Sequence, residues 1–194
     1  GTTSGSPNPT GGFADITQID EPALSNTLTL ANGTAATVTI NSSVPTNLFN
    51  LTINVSGAPN LVFTNISTVN GGTGVTNTLV SGEGTNNLWT LSSANGGTYN
   101  DGQSLIFSNF ADLIGGTGND TFTFVSGGSV GSIDGGAGNN TLTGDNSGDI
   151  FSITAANSGN VISGVTTLVG AFSNIQNLTG GTGNDTFTLS GTGN

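Results

Sequence analysis

The chain has 194 residues and not one lysine, arginine, histidine, cysteine or methionine. Each absence removes a class of chemistry. Without imidazole, thiol or amine side chains there is no ordinary general base near neutral pH, no thiol nucleophile and no Schiff-base amine. A zinc site of histidine and cysteine cannot form, so a bound metal would have to be a hard cation held by oxygen. The 11 acidic residues leave a formal charge of −11 with no basic side chain to offset them. Nothing can grip a phosphate backbone or an anionic lipid headgroup, which excludes nucleic acid as a partner. No stretch approaches the ~18 apolar residues of a membrane span, and stability cannot come from disulfides. The missing cations also leave no trypsin-type cleavage site, an advantage outside a cell. An enzyme is not expected.

What is present is repetition. Hydrophobic residues make up 32% of the chain and glycine contributes 33 positions, which suits a thin core repeated many times. "GGTGNDTFT" occupies Gly115–Thr123 and recurs letter for letter at Gly180–Thr188. A Gly-Gly pair followed by Thr or Ala and then Gly starts at Gly71, Gly115, Gly135 and Gly180, with gaps of 44, 20 and 45 residues. A unit of about 20–22 residues, single or doubled, accounts for these gaps and lies within solenoid repeat lengths. A longer period of 64–65 residues sits above it. "NLWTLSSANGG" from Asn87 aligns with "DIFSITAANSG" from Asp149, and "FSNFADLIGGTGNDTFTF" from Phe107 with "FSNIQNLTGGTGNDTFTL" from Phe172. An earlier relative, "FTNISTVNGGTG", starts at Phe63.

Apolar residues alternate over short runs, as in Phe122 and Phe124 between Thr121 and Thr123. Period two, broken by Gly, Asn and Asp, predicts short strands and turns. No window sustains a 3.6-residue period, so essentially no helix is expected. The expected fold is all-β: a parallel β-solenoid, specifically a right-handed β-helix with coils of about 20–22 residues and the four Gly-Gly corners in one column. Residues 1–22 hold Pro7, Pro9 and Pro22 and read as a loose lead. Residues 23–194 read as one solenoid with repeat units 71–134 and 135–194. Trp89 aligns with Phe151 and is expected in the core. The chain stops short of closing its last coil, which suggests excision from a longer protein or completion by another chain.

The two nonapeptides fit the pattern G-G-x-G-x-D-x-U-x, with U a large apolar residue. They resemble the calcium-binding repeats of the RTX (hemolysin-type) family. That resemblance implies loop carbonyls and a carboxylate ligating Ca²⁺ at Gly116, Gly118 and Asp120, and again at Gly181, Gly183 and Asp185. RTX arrays place such repeats end to end, whereas here the next marker lies 20 residues on with Asn140 in the aspartate position. The marker at Gly71 has Thr76 there. The alternative is that the glycines turn the chain and Asp120 and Asp185 cap the turns by hydrogen bonds, with no metal required. Asp134, Asp145 and Asp149 either form a second oxygen cluster or solvate turns.

From Phe63 onward the repeats also resemble those of large secreted bacterial adhesin-like, filamentous-hemagglutinin-like β-helix proteins. The resemblance implies a bacterial, extracellular or cell-surface structural rod, such as an adhesin stalk, filament or sheath. Solenoid ends are unpaired strand edges, so self-association, head-to-tail or lateral, is expected, alongside a cell-surface or glycan receptor. Three alternatives differ in class: an RTX-like calcium module, a surface binder of ice or carbohydrate, and a polysaccharide-cleaving β-helix enzyme. The second would use the Thr-x-Thr pairs Thr121/Thr123, Thr141/Thr143 and Thr186/Thr188. The third would use a carboxylate pair, but it lacks the basic residues such sites add.

Overall fold

A computed structural model describes residues 18–19, 26–44 and 48–190, so all but Gln18 and Ile19 of the expected lead lies outside the described residues. These residues are all-β and contain no helix. The first nine strands are β1 (Gln18–Ile19), β2 (Asn26–Thr29), β3 (Ala36–Val44), β4 (Leu48–Val55), β5 (Leu61–Asn70), β6 (Thr78–Ser81), β7 (Leu88–Ser93), β8 (Gly96–Asn100) and β9 (Ser104–Ser108). The next nine are β10 (Asp112–Ile114), β11 (Thr121–Phe124), β12 (Val130–Asp134), β13 (Thr141–Thr143), β14 (Asp149–Ala155), β15 (Ser158–Ser163), β16 (Thr166–Ser173), β17 (Asn177–Thr179) and β18 (Thr186–Leu189).

The hydrogen-bonded sheet branches at β5, which also pairs with β1 and β2 in parallel. One arm runs β5-β4-β3-β6-β10-β12-β16-β15-β14-β18. The other runs β5-β9-β8-β7-β11-β13-β17. The chain crosses from arm to arm at glycine corners and, after β9 and β16, at Asn109–Ala111 and Asn174–Gln176, and the arms face each other over one core. Phe49 of β4 meets Tyr99 of β8 edge-on at 5.8 Å. Trp89 contacts Tyr99, Phe107 and Phe122 within 6 Å of ring separation. Alternation delivers these residues: Trp89, Phe122 and Leu142 are register partners across β7, β11 and β13 and are all buried. Val38, Leu79, Leu113, Ile133 and Phe172 form the matching buried row in the other arm.

Three expectations are corrected. First, the pairing is mixed. Antiparallel meanders β3-β4-β5, β7-β8-β9 and β14-β15-β16 interrupt the parallel ladders. Second, only one circuit has the expected length. Asp112 pairs with Ser132, 20 residues on, with just one crossing strand between. The step from Thr78 to Asp112 is 34 residues and from Ser132 to Ala171 is 39, because each contains a meander that adds strands without leaving its arm. Third, the Gly-Gly corners do not share a column. Gly115 and Gly135 lie in register in one, while Gly71 follows β5 and Gly180 follows β17.

Among the described residues five non-glycine positions have positive φ, and all are asparagine: Asn65, Asn95, Asn109, Asn157 and Asn174. Asparagine is the residue other than glycine that tolerates this region best. Asn95 and Asn157 turn the β7–β8 and β14–β15 hairpins, at equivalent places in the two aligned segments. Asn65, Asn109 and Asn174 each end a Phe-(Thr/Ser)-Asn triplet; Asn65 lies within β5, whereas Asn109 and Asn174 turn the chain out of β9 and β16.

Candidate functional site: the glycine corners

Each corner of the repeated type begins with two glycines and ends on an inward-pointing amide or carboxyl. The second glycine is needed for two reasons. Gly116, Gly136 and Gly181 all have positive φ, near 99°, 74° and 96°. Each also lies over a carbonyl of the rung beneath: a β-carbon on Gly136 would collide with Gly116 O, and one on Gly181 with Asp145 O.

The inward side chains link successive rungs. Asn87 N donates to Asp120 Oδ1 at 2.9 Å, Asp120 N to Asn140 Oδ1 at 2.8 Å and Asn140 N to Gln176 Oε1 at 2.7 Å. Asp149 N donates to Asp185 Oδ1 at 2.9 Å in the other corner column. An outer row runs the opposite way: Asn119 N donates to Asn86 Oδ1 and Asn139 N to Asn119 Oδ1. The corner starting at Gly71 is one residue longer, so the inward position is Asn77 and not Thr76. Asn77 Oδ1 accepts from Ala36 N, and its Nδ2 donates to Gly72 O and Asn109 O.

An amide suits this position because its nitrogen faces a carbonyl. Asn140 Nδ2 donates to Asn174 O at 3.0 Å, as Asn77 Nδ2 does to Asn109 O at 2.9 Å. Asp120 is a carboxylate in the same place. Its Oδ1 is well used, accepting from Asn87 N and from Asn87 Nδ2 at 2.8 Å. Its Oδ2 lies where Asn140 has its nitrogen, beside Gly135 O, and has no partner. Burial dominates and pushes the Asp120 pKa up to about 6 against the two Asn87 hydrogen bonds. Asp149 is fully buried with neither oxygen satisfied. Its pKa is also raised, first by burial and then by Asp145 and Asp185; Ser163 and the Asp145 amide are near enough to oppose this without reaching hydrogen-bond geometry.

The residues implicated by the nonapeptide pattern therefore form two separate groups. Gly116, Gly118 and Asp120 sit between β10 and β11, and Gly181, Gly183 and Asp185 between β17 and β18. Asp120 does not meet Asp185: its rung neighbours are Asn87 and Asn140. Calcium needs about 6–8 oxygens. Gly116 O accepts from Ala137 N, Asp120 Oδ1 from Asn87 and Asp185 Oδ1 from Asp149 N. No group of three or more acidic residues is arranged to hold a metal among the described residues. Each corner thus supplies one carboxylate whose Oδ1 already accepts a hydrogen bond from the neighbouring rung. Asp134 is taken up separately, by Gly136 N and Asn174 Nδ2.

The signal that finds the inward residues is a doublet: Asn86-Asn87, Asn119-Asp120, Asn139-Asn140 and Asn184-Asp185. Asn86, Asn119 and Asn139 serve the outer row, and Asn87, Asp120, Asn140 and Asp185 the inner one. Of the threonine pairs, Thr121/Thr123 and Thr141/Thr143 stack in register, and Thr90 and Thr179 extend the second column to four hydroxyls. Thr186/Thr188 lies on the opposite arm. A hollow at the N-terminal end, lined by Leu28, Leu30, Ile53, Val55, Leu61 and Phe63 among others, has no charged residue in its lining. No protein-family model, curated protein or solved structure matches the chain.

Proposed function

We propose that the chain is a structural segment of an extracellular or cell-surface rod, a right-handed solenoid lengthened rung by rung. One observation carries this reading. The ladder β3-β6-β10-β12-β16 is parallel throughout, and its neighbours end on strands paired along one edge only. Such a stack gains stability from nearest-neighbour rungs and is limited in length only by its ends. The residue types absent from the chain point the same way, since a rod requires neither a base nor a nucleophile. The resemblance to adhesin-like repeats supplies the extracellular setting.

Strands in such a rod cross its long axis. Diffraction or cryo-electron microscopy of the native assembly should give a repeat of about 4.7–4.9 Å along the fibre axis. Discrete globular particles without that repeat would overturn the reading.

A further inference from the structure

Among the described residues the last rung, β17 with its corner and β18, is open on one side. Phe187 stacks on Phe151 at 4.6 Å yet remains 46% exposed, and Leu189 is 77% exposed. The equivalent Phe122 stacks on Trp89 and is completely buried, because Leu142 lies on its other side. Since Gly180–Thr188 repeats Gly115–Thr123 in every letter, the chain already contains the cover for this surface. Over the inner copy lies the segment Ser132–Thr143, "SIDGGAGNNTLT".

We infer that the open rung is a docking edge for a strand–corner–strand segment of this Gly-Gly, Asn-Asn type supplied by another chain, and not for the chain's own first rung. The inference rests on reading the protein as a rod extended by rungs, and names what extends it. Five contacts of the inner copy define the fit. Gly115 N donates to Asp134 O, Ala137 N to Gly116 O, Thr141 N to Asp120 O, Asn139 N to Asn119 Oδ1 and Asp120 N to Asn140 Oδ1. Their counterparts on the open rung are Gly180 N, Gly181 O, Asp185 O, Asn184 Oδ1 and Asp185 N.

The glycine over Gly181 O is the discriminating element. Gly136 occupies that position over the inner copy, where a β-carbon would strike the carbonyl. The first described rung, β2 and β3, has Ala31 in the corresponding place, directly beneath Gly72. A second copy stacked head to tail would bring the Ala31 methyl against Gly181 O. Its corner is also one residue longer than the one it would cover, since Thr29 and Thr37 are eight apart and Thr179 and Thr186 seven.

The test appends Ser132–Thr143 to the full chain through a flexible Gly/Ser linker of about ten residues, which supplies a millimolar effective concentration. Hydrogen exchange is then read at Gly180 N and Asp185 N. Docking slows exchange at both by tenfold or more. The same graft with Gly136→Ala, or a graft of Thr27–Thr39, leaves both amides as fast as in the unextended chain. Equal protection by all three grafts overturns the glycine requirement and points to head-to-tail stacking. No protection by any graft overturns the docking edge altogether. Because these amides are read in a single chain, docking can succeed where the native material lacks a fibre repeat, and fail where it has one.

Discussion

Asp120 is an acid in a position built for an amide. Its neighbours in the row, Asn87 and Asn140, carry a nitrogen toward the next rung's carbonyl, whereas Asp120 sets Oδ2 against Gly135 O. A buried acceptor without a donor costs roughly 1–3 kcal/mol. Asp120→Asn keeps the bond from Asn87 N and adds a donor, so it should stabilise the chain by about that amount at pH 7. The pH dependence follows from linkage. The folded-state pKa, about 6, stands above the ordinary carboxylate value, so the folded state holds its proton more tightly. That contribution is fully present below about pH 4 and is lost as pH rises to about 6. Urea unfolding from pH 4 to pH 8 should show falling stability in the native chain and a smaller fall in Asp120→Asn. If the two profiles run parallel, Oδ2 has a partner after all.

Among the elements, the corners tolerate least. Gly136→Ala places a methyl on a carbonyl oxygen at a positive φ, and should cost at least about 2 kcal/mol. Gly164 also has positive φ, about 58°, but nothing lies within 4 Å of its missing β-carbon. Gly164→Ala should therefore cost only the backbone strain, about 1 kcal/mol. Thermal melts of both separate the carbonyl contact from φ alone; equal losses would mean that stacking does not constrain the corner. How much of this the sequence reveals depends on the element. Strand character and the absence of helix follow from alternation such as Thr121-Phe122-Thr123-Phe124. The mixed pairing does not, because the glycine markers record only where the chain changes arm. Two of the three meanders leave a different trace, Ala94-Asn95-Gly96 and Ala156-Asn157-Ser158, a hairpin signature that comparison of glycine spacing passes over. Asn77 is hidden for a similar reason: one extra residue in its corner places Thr76 at the aligned position. Partnership between aligned loops is beyond such a comparison too. Gly115–Thr123 and Gly180–Thr188 are identical in letters, yet one follows a strand of the first arm and the other a strand of the second.

For the whole molecule, the decisive fact is that every charged side chain has the same sign. In most proteins added salt weakens repulsions and ion pairs together, and the effects partly cancel. Here no side-chain ion pair exists to be weakened. Folding brings carboxylates closer: Asp145 and Asp185 lie near enough to Asp149 to add to the cost that burial puts on its ionisation. Raising sodium chloride from about 0.01 M to about 0.15 M shortens the screening length from about 30 Å to about 8 Å. The melting temperature should therefore rise over this range, and the slope should be shallower in Asp149→Asn, which removes the most buried of the three charges. A flat or falling curve would mean that repulsion does not limit the fold. Calcium at matched ionic strength provides the sharper comparison. If screening alone operates, calcium and sodium curves coincide once ionic strength is equal. An additional rise with calcium that Asp149→Asn abolishes and Asp120→Asn leaves intact would place an ion against the two unsatisfied oxygens of Asp149, in a corner whose sequence, Gly-Asp-Asn-Ser-Gly-Asp, departs from the nonapeptide pattern.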